Sequence, residues 1–164
     1  MTENYIMLNG KRVDLTDEQI KKLGLKTKSD CFEREVDGLY YFISGTGEII
    51  TTDDIRHKSD EALYSVANYC TDHSLIKQRA LHEILSRLLW RFSMQNNMDK
   101  IDWGNVNSSK YYIYYKHNEY SCNIDRNTTF QNEGSVYFYS REIANRAINE
   151  IILPFMKEHP EFVW

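Results

Sequence analysis

The side chains in this chain that could do covalent or acid–base chemistry are a few acids, imidazoles and thiols. Asp53-Asp54, and Asp99-Lys100-Ile101-Asp102 further on, place carboxylates close together, the second group around a lysine. Two or three carboxylates of this kind hold the divalent ions of metal-dependent nucleases. The same residues also read as solvated loop positions, with Asp102-Trp103-Gly104 as a turn. A metal-free ribonuclease would pair two imidazoles as acid and base, and His57 and His117 are available for that, although nothing in the spacing brings them together. Cys70 and His73 have two residues between them, with His82 following. Tetrahedral zinc needs about four ligands within reach, and the other cysteines are isolated, so a buried thiol beside a histidine at a helix start is the simpler reading. Cys122 falls in a strand pattern, which favours packing over nucleophilic catalysis. Gly45-Thr46-Gly47 lacks the helix and lysine of a phosphate-binding loop and reads as a hairpin turn. These residues assign no catalytic role, no metal and no cofactor.

Aromatic residues carry the stronger signal. The chain has twelve tyrosines, clustered at Tyr40-Tyr41 and at Tyr111-Tyr112-Ile113-Tyr114-Tyr115. Such runs fit a pleated, half-buried surface. Strand alternation puts Tyr112 and Tyr114 on one face, and Tyr111, Ile113 and Tyr115 on the other. With Ile113 marking the core side, Tyr112 and Tyr114 project outward. Tyrosine offers large contact area at low entropic cost and is enriched at binding hot spots. The candidate interaction surface is therefore aromatic and acidic: Tyr112, Tyr114, Asp53, Asp54, Asp102 and Trp103.

The elements that must position these groups read as an α+β chain. Residues 5–15 form a hairpin around Asn9-Gly10, whose types suit a type I′ turn. Thr16 and Gln19 have capping-box spacing and start a short helix, which Leu23-Gly24 stops. Lys26 to Asp30 is a polar connector, so an N-terminal hairpin–helix appendage (1–30) precedes a main domain (31–164). Leu39–Ile43 and Glu48–Thr52 pair as strands, residues 53–62 read as loop, and Leu63 to Cys70 fits either a short strand or a helical turn. From Leu75 to Phe92 apolar residues recur at helical spacing, with Thr71 or Ser74 as cap and Gln95-Asn96-Asn97 at the end. Lys110–Tyr115 and Tyr120–Ile124 pair across His117-Asn118, and Val136–Tyr139 is a further strand. Ser140 caps a helix carrying Ile143, Ala144, Ala147, Ile148, Ile151 and Ile152, which Pro154 ends or kinks. The halves 39–97 and 103–157 thus share one plan: an aromatic antiparallel hairpin packed by an amphipathic helix.

A chain of 164 residues can bury a sizeable core without disulfides. Its net charge of −4 disfavours a sequence-independent nucleic-acid binder, which draws affinity from basic residues. Three cysteines without a CxxC pair, no long apolar run and no signal-peptide pattern point to a cytoplasmic protein with its thiols reduced.

Tyr40-Tyr41-Phe42-Ile43 through Gly47-Glu48-Ile49, Asn68-Tyr69 before a capped helix, Asp102-Trp103, Lys110–Tyr115, and Val136-Tyr137-Phe138-Tyr139-Ser140-Arg141-Glu142-Ile143-Ala144-Asn145-Arg146-Ala147-Ile148 together give the chain a familiar pattern over residues 39–155. It resembles small proteins of bacteriophages and prophages of Gram-positive bacteria, and residues 8–25 resemble the leader found on many of them. Ala67-Asn68-Tyr69-Cys70 departs from the more aromatic stretch usual before the first helix. The resemblance implies a phage or mobile-element origin in a bacterial host cell and no single activity. In that context the expected function is inhibition of a host defence nuclease by stoichiometric contact, as anti-CRISPR proteins do. The expected partner is a host defence protein, for example a CRISPR effector nuclease such as Cas9, with nucleic acid met only indirectly. The alternatives are a small metal-dependent or histidine-based nuclease acting on RNA, and a nucleic-acid-binding accessory protein.

Overall fold

The computed structural model describes residues 5–8, 11–24, 31–97 and 101–164. The fold is α+β, and every strand pairing among the described residues is antiparallel. The chain divides into two compact units, Met1–Lys77 and Gln78–Trp164.

In the first unit, β1 (Tyr5–Leu8) pairs with β2 (Lys11–Asp14). The Asn9-Gly10 turn expected between them lies outside the described residues, as does the Lys26 to Asp30 connector. Helix α1 (Asp17–Lys22) follows the capping box: the Thr16 N–H donates to Gln19 Oε1 (2.9 Å), and the Gln19 N–H donates to Thr16 Oγ1 (3.3 Å). Gly24, at φ +66°, adopts the left-handed conformation that stops helices. Strands β3 (Leu39–Ile43) and β4 (Ile49–Asp53) pair from Leu39↔Asp53 to Ile43↔Ile49.

The next segment differs from expectation. Part of the stretch 53–62, read as loop, belongs to α2 (Lys58–Ser65). Its cap is His57, whose Nδ1 accepts from the Ser59 N–H, while Asp60 accepts from the His57 N–H at 2.9 Å. Histidine lies outside the usual N-cap set, so the helix start carries no familiar signature. After α2, the Asn68 side chain acts like a strand neighbour: its amide donates to the Ile43 carbonyl (2.8 Å) and its oxygen accepts from the Ile43 N–H (2.9 Å). Cys70 then exchanges both backbone hydrogen bonds with Tyr41. Helix α3 (His73–Asn96) starts here, and its cap is neither Thr71 nor Ser74. Asp72 Oδ1 accepts from the N–H groups of Ser74 (2.8 Å) and Leu75 (3.1 Å). Tyr40, Ile43, Tyr69, Cys70 and Ile76 are buried in this unit.

The second unit holds the rest of α3 and a three-stranded sheet in the order β6-β5-β7, with β5 Lys110–Lys116, β6 Ser121–Asn127 and β7 Tyr137–Phe138. β6 begins one residue later than expected, because Tyr120 takes a left-handed turn conformation (φ +49°). Helix α4 (Arg141–Ala147) starts at Ser140, whose Oγ accepts from the Ile143 N–H (3.2 Å).

Pro154 does not end the helical run. Ile148–Ile152 widen into a π-helical turn, and α5 (Leu153–Glu158) continues beyond it with the proline in its first turn. The Leu153 N–H donates to the Ile148 carbonyl, five residues back. An α-helical turn would set the proline ring against the carbonyl four residues earlier and strand that acceptor; a wider turn relieves both problems. Leu81, Leu85, Ile152, Phe155 and Phe162 form one core cluster, and Phe92, Phe138, Ile143, Ala144 and Ala147 another. No described helix is long and apolar enough to cross a membrane.

Candidate functional site

The sheet of the second unit has two unlike faces. On the core face Tyr111, Ile113 and Ile124 pack with Phe138 against α4, so Ile113 does mark the inward side. The strand register then fixes the outer face. Tyr112 lies opposite Asp125 and Tyr137, Tyr114 opposite Asn123, and Lys116 opposite Ser121.

Tyr112 and Tyr114 are both half-buried, with ring centroids 6.3 Å apart. The row continues through Tyr137, 5.7 Å from Tyr112, to Trp103, set edge-on to Tyr137 at 4.8 Å. The Tyr112 hydroxyl reaches Asp125 at 3.4 Å. Burial, followed by the Asp125 charge, pushes this phenol above its usual value, so it stays a neutral donor. At the Trp103 end the Lys110 ammonium is buried, donates to the carbonyls of Asn105 (2.6 Å) and Thr128 (3.2 Å), and lies 5.4 Å from the Trp103 ring. That cation pins the loop carrying Trp103 to the end of β5. The structure thus brings Tyr112, Tyr114 and Trp103 into one row. Asp102 lies in the same loop, exposed, and its carboxylate accepts from the Gly104 N–H at 2.8 Å as a turn residue. Tyr137, Ser121, Asn123 and Asp125 join this face as well. Their i, i+2 spacing in β6 is legible in the sequence, but which tyrosine each one meets depends on the turn length and register.

Asp53 and Asp54 belong to the first unit and part company there. Asp53 is exposed at the end of β4. Asp54 is fully buried and therefore offers no surface. Its carboxylate takes a fork of two bonds from Arg34 (2.7 and 2.8 Å), one from the Arg56 N–H (3.0 Å) and one from the Tyr69 hydroxyl (3.1 Å). The Arg34 hydrogen bonds, opposed by desolvation, hold this carboxyl far below the usual range. Burial and the Asp54 carboxylate push the Tyr69 phenol up to about 12. Beside it, Tyr40 stacks on Tyr69 at 4.2 Å and donates to Asp60 (2.9 Å). Every acceptor site of Asp54 that could bind an ion is turned to an internal donor, and a guanidinium occupies the place a cation would take. The residue is structural.

The other chemistry-bearing residues also have defined places. His57 is committed to the α2 cap, and His117 packs edge-on to Tyr115 in the second unit at 5.2 Å. His73 packs edge-on to Tyr41 at 5.0 Å, and His82 lies against Phe162. No group of three or more metal-ligating side chains occurs among the described residues. The cysteines are thiols, with Cys31 and Cys70 buried and Cys122 half-buried. Compared with family models, curated proteins and solved structures, the chain shows no match.

Proposed function

We propose that this chain is a binding protein that inhibits a bacterial defence nuclease, in the manner of an anti-CRISPR protein, by stoichiometric contact with the enzyme. The observation that carries this reading is the outer sheet face of the second unit. Tyr112 and Tyr114 stand there on a rigid strand among Ser121, Asn123 and Asp125. Rigid aromatic anchors beside short, adaptable polar groups are the composition of protein-recognising surfaces. The charge distribution supports a protein partner over nucleic acid: ten basic residues face ten acidic ones from Gln78 onward, so this unit has no basic excess to displace phosphate counterions. The phage-like sequence pattern of residues 39–155 supports the biological setting.

Titration against a purified CRISPR effector nuclease tests the reading. Inhibition should rise linearly and stop at a fixed molar ratio, and replacing both Tyr112 and Tyr114 by alanine should weaken it by roughly 30-fold, about 2 kcal/mol. Loss of nuclease activity at far below equimolar protein, or an undiminished effect of the double variant, would count against it.

A further inference from the structure

Four described residues other than glycine hold a left-handed backbone, with φ between +49° and +59°: Asp37, Arg56, Ala67 and Tyr120. In that conformation the side chain crowds its own backbone, so each case calls for a contact that offsets the strain. Three have one. The Asp37 N–H donates to the Asp54 carbonyl (2.9 Å), and the Arg56 N–H donates to the Asp54 carboxylate (3.0 Å). Ala67 closes α2. Its N–H donates to the Tyr64 carbonyl (3.0 Å) and the next N–H, of Asn68, to the Leu63 carbonyl (2.8 Å), the bond pair that ends many helices.

Tyr120 has no such contact. It is 84% exposed, more than any other large apolar side chain among the described residues, and that side chain enters no hydrogen bond or ring contact with them. It is the last residue of the turn 117–120 that joins β5 to β6. Glycine and asparagine take a left-handed turn position at little cost, and a bulky ring does not. The strain is therefore carried at a residue that gives nothing back to the fold.

The turn that carries the ring is stiff. The Glu119 N–H donates to the Lys116 carbonyl (3.2 Å), the Lys116 ammonium donates to Glu119 Oε1 (3.0 Å), and His117 sits edge-on to Tyr115 (5.2 Å). An anchor held this way loses little freedom on binding. The turn starts at the Lys116–Ser121 rung, the last on the face that bears Tyr112 and Tyr114, which lets one partner meet both. A bare ring at a hairpin tip suits a concave surface. In a nuclease that surface is the substrate cleft, where unpaired bases stack on aromatic rings and arginine planes.

We propose that Tyr120 is an anchor that enters the substrate cleft of the nuclease, its ring stacking where a base of single-stranded nucleic acid would stack. The proposal rests on the inhibitor reading and adds its mode, competition with substrate.

Tyr120→Gly and Tyr120→Phe in the full chain test it, with a purified CRISPR effector nuclease as target. Tyr120→Gly relieves the backbone and should hold or raise the melting temperature, while weakening inhibition about 30-fold. Tyr120→Phe keeps the ring and should inhibit within about threefold of the native chain. A non-cleavable single-stranded oligonucleotide at ten times its own Kd for the nuclease should weaken the native chain's apparent affinity about tenfold. A melting temperature more than about 2 °C lower in Tyr120→Gly would make the ring a support of the fold and overturn the anchor. Undiminished inhibition by Tyr120→Gly, a loss in Tyr120→Phe equal to that in Tyr120→Gly, or an affinity untouched by the oligonucleotide would overturn the anchor and leave the inhibitor reading standing. No inhibition by the native chain would overturn both.

Discussion

A carboxylate removed from water needs donors in compensation, and Asp54 finds four, from two nitrogens of Arg34, the Arg56 amide and the Tyr69 hydroxyl. Breaking such a set from one side leaves the opposite charge stranded. Asp54→Ala should therefore lower stability by about 3–5 kcal/mol, measured by urea denaturation followed through tyrosine fluorescence. The pH dependence follows from the two shifts. Asp54 titrates lower in the folded chain than its ordinary 3.8, so its contribution is present above that value and is lost as the pH falls below it. Tyr69 titrates higher, at about 12 against an ordinary 10.0, so its contribution is intact below 10.0 and disappears as the pH rises through about 12. Stability measured across both limbs should show Asp54→Asn flattening the acid side and Tyr69→Phe the alkaline side. An acid limb unchanged in Asp54→Asn would contradict the role given to this carboxylate.

At the scale of elements, capping and edge pairing set where helices and strands begin. The Ser140 hydroxyl serves the Ile143 amide, and Ser140→Ala should cost about 1 kcal/mol of stability. Asn68 has a larger task, since its side chain meets both backbone groups of Ile43 at the end of β3. Asn68→Ala leaves one donor and one acceptor without their partner and should cost about 1–3 kcal/mol, with faster exchange at the Ile43 amide as the local readout. Asn68→Asp should fail to rescue, because a carboxylate can accept from the Ile43 N–H but cannot donate to its carbonyl. The π-helical turn at Ile148–Ile152 follows the same logic of satisfied backbone groups. It adds a residue to one turn ahead of Pro154, and Phe155 reaches the core beyond it.

At the scale of the whole molecule, charge and thiols are unevenly placed. The net −4 lies entirely in Met1–Lys77, where ten basic residues meet fourteen acidic ones, while Gln78–Trp164 is neutral. Of the three thiols, only Cys122 has partial access to solvent, and desolvation pushes its pKa up, which keeps it in the unreactive protonated form. A thiol reagent at neutral pH should therefore label native protein slowly and at Cys122 alone, and label all three sites once denaturant is added. Rapid native labelling of Cys31 or Cys70 would contradict their burial.

Local regularities are what the sequence by itself determined: the α+β class, the helices begun by Thr16 and Ser140, the strands at Leu39–Ile43 and Lys110–Tyr115, and the outward direction of Tyr112 and Tyr114. Each depends on residues within a few positions of one another, where spacing alone settles the geometry. Tertiary structure decided the rest. Asp54 reads as a loop residue until Arg34, twenty positions earlier, is folded against it. Trp103 joins the tyrosine row only because Lys110 draws its loop onto the end of β5. Beside the two-residue strand β7, Ser93 in α3 and Asn97 just past its end hold the Tyr137 carbonyl and the Tyr139 N–H, contacts made some forty positions along the chain. Burial and hydrogen-bond pairing are properties of neighbours in space, and for these residues the neighbours lie too far along the chain for spacing to reveal them.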